Sequence, residues 1–138
     1  MSECAGRVLI VEDDVSIARV LERTLNRDGF VARVAEDGRT ALAALEAELF
    51  HFVLCDYQLP DISGEELCRH IRGCASHAEV ALALCTAKAH EVDVTALTDE
   101  LGLTHVFYKP FSLREVSAAI GTAIQKHAVS SASVTDRE

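Results

Sequence analysis

Four short apolar runs in this chain each end in a polar or charged residue. Val8-Leu9-Ile10-Val11 runs into Glu12-Asp13-Asp14, and Phe52-Val53-Leu54-Cys55 into Asp56. The run from Val80 to Cys85 ends at Thr86, and His105-Val106-Phe107-Tyr108 ends at Lys109-Pro110. Runs with so little apolar/polar alternation suit strands buried on both faces, as in parallel sheets flanked by helices. A buried strand has no reason to stop repeatedly in charge. The carboxyl ends of strands in an open parallel sheet are, however, where ligands bind.

The segments between these runs have helical spacing. Ile17, Leu21 and Leu25 recur at i, i+4 and i+8 between Val15 and Asp28, with Asp14 or Ser16 as cap and Gly29 at the stop. Phe30 to Ala35 reads as a further strand. Leu42, Leu45 and Leu49 mark a second helix, and Leu67 and Ile71 a third. Val94, Leu97 and Leu101 mark a fourth. Ser112 and Glu115 have capping-box spacing and open a last helix carrying Leu113, Val116, Ile120 and Ile124. Strands alternating with helices predict an α/β fold: one doubly wound five-stranded parallel sheet with helices on both faces. The flavodoxin-like strand order 2-1-3-4-5 brings Glu12 and Asp13 beside Asp56 at the switch point.

A length of 138 residues fits one domain. Residues 1–127 are expected to form it. Residues 128–138, rich in Ser and Ala, are expected to be a flexible tail or linker. A net charge of -9 argues against direct nucleic-acid binding. The absence of a long apolar run or a secretory signal predicts a cytoplasmic chain with no membrane partner. The five cysteines (Cys4, Cys55, Cys68, Cys74, Cys85) form no C-x-x-C pair and read as reduced thiols. Cys55 and Cys85 would lie side by side if their strands are neighbours.

The chemistry of the strand ends is more specific. Unit charges 4 Å apart repel by about 4 kcal/mol at an effective dielectric near 20. Glu12, Asp13 and Asp56 would therefore hold a proton or recruit a cation. Oxygen-only ligands favour a hard ion, and Mg²⁺ suits a site with a few carboxylates and phosphate oxygens. Thr86 and Lys109 supply a hydroxyl and an ammonium for the oxygens of a phosphoryl group. Asp56 is the nucleophile candidate, since a carboxylate can form an acyl phosphate.

Four stretches carry a family resemblance: Val8 to Asp14, Leu54 to Gly64, Cys85-Thr86-Ala87 and Tyr108-Lys109-Pro110-Phe111. In order and in register they resemble the receiver domains of two-component response regulators, the CheY-like superfamily. The resemblance runs from about Arg7 to Lys126. It implies that Asp56 is the phospho-acceptor in a phosphorelay, taking its phosphoryl group from a phosphohistidine. The donor would be a sensor histidine kinase or a histidine phosphotransfer protein. It also implies that Asp13 is a direct Mg²⁺ ligand, that Glu12 holds the ion through water, and that Gln58 lends its backbone carbonyl. Thr86 and Lys109 would contact the phosphoryl oxygens. Tyr57, Ala87 and Lys88 would border or modulate it, and the Lys109-Pro110 bond would be cis. Such a domain catalyses its own phosphorylation and dephosphorylation without being a turnover enzyme. It would switch contacts with a downstream protein target or a fused output domain through its fourth helix, fifth strand and fifth helix.

The chain departs from the family pattern at Val106, where many receivers carry an aromatic residue that turns inward on phosphorylation. A cation at Lys88, near the pocket mouth, predicts slower self-dephosphorylation than in a Lys88→Glu variant. Three other readings fit less well. A haloacid-dehalogenase-like phosphatase needs a second Asp where Gln58 stands. A pseudo-receiver that only scaffolds would lack a site residue, and none is missing. A flavodoxin would need a phosphate loop where the acids Glu12 to Asp14 lie.

Overall fold

The computed structural model describes residues 5–136; residues 1–4, Cys4 among them, and residues 137–138 lie outside the described residues. The strands are β1 (Arg7–Val11), β2 (Val31–Ala35), β3 (Phe52–Asp56), β4 (Ala81–Ala87) and β5 (His105–Lys109). The helices are α1 (Val15–Arg27), α2 (Gly38–Ala47), α3 (Gly64–Arg72), α4 (Glu91–Leu101) and α5 (Leu113–Asp136). A 3₁₀ turn, Lys88–His90, leads into α4. All strand pairs are parallel, in the order β2-β1-β3-β4-β5. The doubly wound fold read from the alternating pattern is the one present.

Each face of the sheet buries its own core. Leu9, Val11, Val53, Leu82 and Leu84 point to one side, where Leu45, Leu67, Ile71, Val94 and Leu97 of α2, α3 and α4 cover them. Val8, Ile10, Phe52, Leu54 and Phe107 point to the other, against Leu21 and Leu25 of α1 and Val116, Ile120 and Ile124 of α5. Central β3 is buried at every position. Fully burying an aliphatic side chain of this size contributes roughly 1.5–3 kcal/mol, so these layers dominate the stability of the fold.

Local signals fix the helix starts. The side chains of Asp14, Asp37 and Ser63 accept from Ile17 N, Thr40 N and Glu66 N, capping α1, α2 and α3. Ser112 Oγ accepts from Glu115 N at 3.2 Å, the cap expected for α5.

Three expectations need correction. Leu49 lies beyond the end of α2 and is 67% exposed, because the helix stops at Ala47 and the chain turns toward β3. β4 runs on through Thr86 and Ala87, so Thr86 is a strand residue rather than the first after it. Cys55 and Cys85 do not sit side by side. Register pairs Cys55 with Leu84 and Asp56 with Cys85, and alternation sends the two thiols into opposite cores. The α5 backbone stays helical through Asp136. No Gly or Pro follows Gly121 to stop it.

Candidate functional site

Parallel pairing aligns the carboxyl ends of β1, β3, β4 and β5 along one edge of the sheet. β1 delivers Glu12 and Asp13, with Glu12 N donating to Ala35 O at 3.0 Å. Val11 is in register with Cys55, which sets Asp56 beside these acids. Thr86 pairs with Tyr108 and Ala87 with Lys109, so the last strand brings the lysine to the same edge.

Carboxylate oxygens of Glu12, Asp13 and Asp56 lie within 4.8 Å of one another. Glu12 and Asp56 are buried, while Asp13 faces solvent. Lys109 Nζ lies 3.0 Å from Asp56 Oδ2 and 3.3 Å from Glu12 Oε1. The other Asp56 oxygen, Oδ1, accepts from Gln58 N at 3.2 Å. Glu12 Oε2 accepts from Asp14 N at 3.1 Å. The cluster is thus a buried pair of acids held by one cation, with a third acid open to water.

The electrostatics follow from burial. Removal from water pushes Glu12 up to about 7; the Asp14 N–H opposes that rise and the Asp56 carboxylate adds to it. Burial works against the charge of Lys109, but the Asp56 and Glu12 carboxylates outweigh it and hold the ammonium above its ordinary value. Two acids sharing one lysine leave an excess of negative charge. An oxygen-rich pocket of that sign suits a hard divalent cation.

Backbone contacts shape the floor of the site. Tyr57 N donates to Cys85 O at 2.9 Å, and Gly64 N donates to Tyr57 O at 2.7 Å. A Cβ at Gly64 would collide with the Asp56 backbone carbonyl, so only glycine lets α3 start this close to β3. The Lys109-Pro110 peptide bond is cis.

The remaining sequence-predicted residues border this centre without joining it. Thr86 is buried, and among the described residues no hydrogen bond links its hydroxyl to Asp56 or Lys109. Ala87 is exposed at the end of β4. Lys88 Nζ lies 3.2 Å from Glu91 Oε2 and 4.6 Å from the centre of the Tyr108 ring. Val106 and Tyr108 pack toward the α2–α4 side and Phe107 toward the other, as strand alternation requires.

Two features escaped the sequence. The rings of Tyr57 and His90 meet at 5.2 Å, joining the loop after β3 to the turn after β4. Asp61, read from sequence only as part of a loop, accepts from the first N–H groups of α2. Neither contact leaves a spacing signal, since each joins residues far apart in the chain.

Comparison with known proteins agrees with this geometry. The family model for the response regulator receiver domain matches residues 8–121. The sensory transduction protein RegX3 of Mycolicibacterium smegmatis is 39% identical over 122 residues, covering 88% of this chain and 51% of that protein. RegX3 of Mycobacterium tuberculosis is 38% identical over 120 residues, covering 86% and 51%. The chain therefore spans about half the length of the curated relatives it matches. A sensor protein from Polaromonas sp. superposes with a TM-score of 0.80 at 27% identity, covering 87% of this chain and 96% of that one. A CheY-like receiver domain protein from Methanospirillum hungatei shares the fold, with a TM-score of 0.82 at 24% identity over 90% and 97% of the two chains. Receiver domains are phospho-accepting switches rather than turnover enzymes. Among the described residues no helix is long and apolar enough to cross a membrane. With its strand-end acids and lysine gathered at one edge and most of its length matched, this chain belongs to the response regulator receiver domain family.

Proposed function

We propose that Asp56 receives a phosphoryl group from a phosphohistidine on a sensor histidine kinase or a histidine phosphotransfer protein. The observation that carries this reading is Lys109 Nζ 3.0 Å from Asp56 Oδ2, inside a cluster of three acids. A carboxylate oxygen of Asp56 attacks phosphorus, a P–O bond forms, the P–N bond breaks and the imidazole leaves. Lys109 is placed to follow the charge from the carboxylate to the phosphoryl oxygens. In this reading Thr86 and the Ala87 N–H would contact the group, and Tyr57 and Lys88 would modulate it.

The donor set fits Mg²⁺: Asp13, Asp56 and the Gln58 carbonyl would hold it, and Glu12 would act through water. Bound there, the ion would neutralise charge developing on the phosphoryl oxygens. Glu12, buried and easily protonated, is suited to hold a water rather than to act as a bare anion.

The phosphoryl group adds charge at the strand edge and so biases contacts with a downstream protein target or a fused output domain. Residues 1–127 form the switch in this reading. Residues 128–138 lead onward from it, and the chain works in the cytoplasm.

The test is incubation of the full chain with a small-molecule phosphodonor and Mg²⁺, followed by intact mass. A gain of about 80 Da, one phosphoryl group, is expected for the wild type and not for Asp56→Asn. A wild type that stays unmodified, or an adduct that survives Asp56→Asn, overturns the reading.

A further inference from the structure

The loop between β3 and α3 carries Gln58, and its two ends are fixed by backbone bonds at Tyr57 and Gly64. Its middle is held differently. Asp61 Oδ1 accepts from Gly38 N at 2.9 Å, and Oδ2 accepts from Arg39 N at 2.9 Å. Oδ1 also accepts from Ile62 N at 2.9 Å. Among the described residues, these Gly38 and Arg39 bonds are the hydrogen bonds that tie residues 58–63 to an element other than β3 and α3.

The tie does more than satisfy a helix end. α2 already has its own cap, with Asp37 Oδ1 accepting from Thr40 N at 2.8 Å and Asp37 O from Ala41 N at 3.1 Å. The first N–H groups of a surface helix can be satisfied by water. What a carboxylate from another loop adds is a fixed distance between that loop and α2. Packing reinforces it: Gly38 is buried under Ile62, and a Cβ there would run into Ile62 Cγ1.

We propose that Asp61 is a positioning residue for the metal-binding loop, holding it against the N-terminus of α2 so that the Gln58 carbonyl faces the acidic cluster. The proposal rests on the metal reading above. Asp61 touches neither the ion nor the phosphoryl group; it acts through the loop. A loop free to shift would present Gln58 in many arrangements and lose affinity for the ion, as metal sites do when the groups orienting their ligands are removed.

The experiment is calorimetric titration of the full chain with Mg²⁺ alone, for the wild type, Asp61→Ala, Asp61→Asn and Asp13→Asn, with urea midpoints measured in parallel. Asp61→Ala is expected to bind about tenfold more weakly while keeping most of its unfolding midpoint. Asp61→Asn, which keeps one acceptor oxygen but turns an NH2 donor toward the other backbone N–H, recovers only part of the affinity. Equal affinity in Asp61→Ala and wild type overturns the proposal. So does a loss shared equally by both Asp61 variants that follows their loss of stability. A wild type that does not bind Mg²⁺, or binds it no better than Asp13→Asn, overturns the metal reading instead, and the proposal with it. One measurement needs no variant: during the Mg²⁺ titration of wild type, the Gly38 and Arg39 amide resonances should shift with the same midpoint as that of Gln58. Amides that stay still while Gln58 moves contradict the coupling.

Discussion

Lys109 Nζ reaches within 3.0 Å of Asp56 Oδ2, joining two residues 53 positions apart in sequence. The lysine stands on the last strand and the aspartate on the central one, with β4 between them. Their meeting depends on both strands ending at the same height, which the parallel register enforces.

The ion pair is only partly open to water and should therefore couple measurably. Removing Lys109 leaves Asp56 and Glu12 facing each other without a cation. A double-mutant cycle of Lys109→Met with Asp56→Asn, read by urea denaturation without divalent ions, should give an interaction of about 0.5–3 kcal/mol. Additive single-variant effects would mean that the contact contributes nothing to the fold.

Lys88 follows β4 in the 3₁₀ turn, over the Tyr108 ring and beside Glu91. A cation at this rim favours retention of a phosphoryl group, and an acid would repel it. Lys88→Glu should lose label from phosphorylated protein several-fold faster than wild type, about 0.5–1 kcal/mol in activation free energy by the cation's share of a partly exposed interaction. Equal or slower loss would sink the idea.

Arg72 is a structural counterpart at the opposite end of the sheet. Its guanidinium donates to the carbonyls of Leu101, Gly102, Ala78 and Val80, at 2.7, 3.0, 3.1 and 2.6 Å. It thereby clasps the end of α4 to α3 and the loop before β4. Arg72→Met should cost at least about 2 kcal/mol, since it strands several partly buried acceptors. Arg72→Lys should rescue little, because an ammonium cannot reproduce the planar fork. Urea midpoints and amide exchange at Leu101 to Leu103 would report both outcomes.

His77 gives a pH dependence remote from the site. It is buried, its Nε2 accepts from Phe50 N at 3.1 Å, and its Nδ1 lies 2.9 Å from Ser76 Oγ. Burial holds its pKa below the ordinary 6.5, so the folded state favours neutral imidazole. The unfolded chain then takes up the proton first. Stability contributed by His77 is complete above about pH 6.5 and falls as pH drops below it. Urea midpoints at pH 7.5 and 5.0 should differ less in His77→Gln than in wild type. An unchanged difference would show that another group controls that slope.

The sequence carried the fold because two of its signals are local. Runs such as Phe52 to Cys55 cannot be anything but buried, and Leu21 with Leu25 must share a helix face. The same locality exposed the site: Glu12, Asp56 and Lys109 interrupt apolar runs where charge is costly, so each announces itself without reference to the others. Helix continuation is local too: no Gly or Pro follows Gly121, and the α5 backbone runs on to Asp136.

The tertiary structure decided what depends on register and reach. Whether Cys55 met Cys85 rested on a one-residue offset that turns every side chain to the other face. The contact of Lys88 with Tyr108 rested on where a long side chain found a ring. Asp61 bonds to Gly38 and Arg39 across more than twenty residues, a contact no periodicity encodes. Composition and spacing fix which residues must be buried and which faces must meet. Only packing fixes which polar groups, brought to one edge by that burial, come within hydrogen-bond distance.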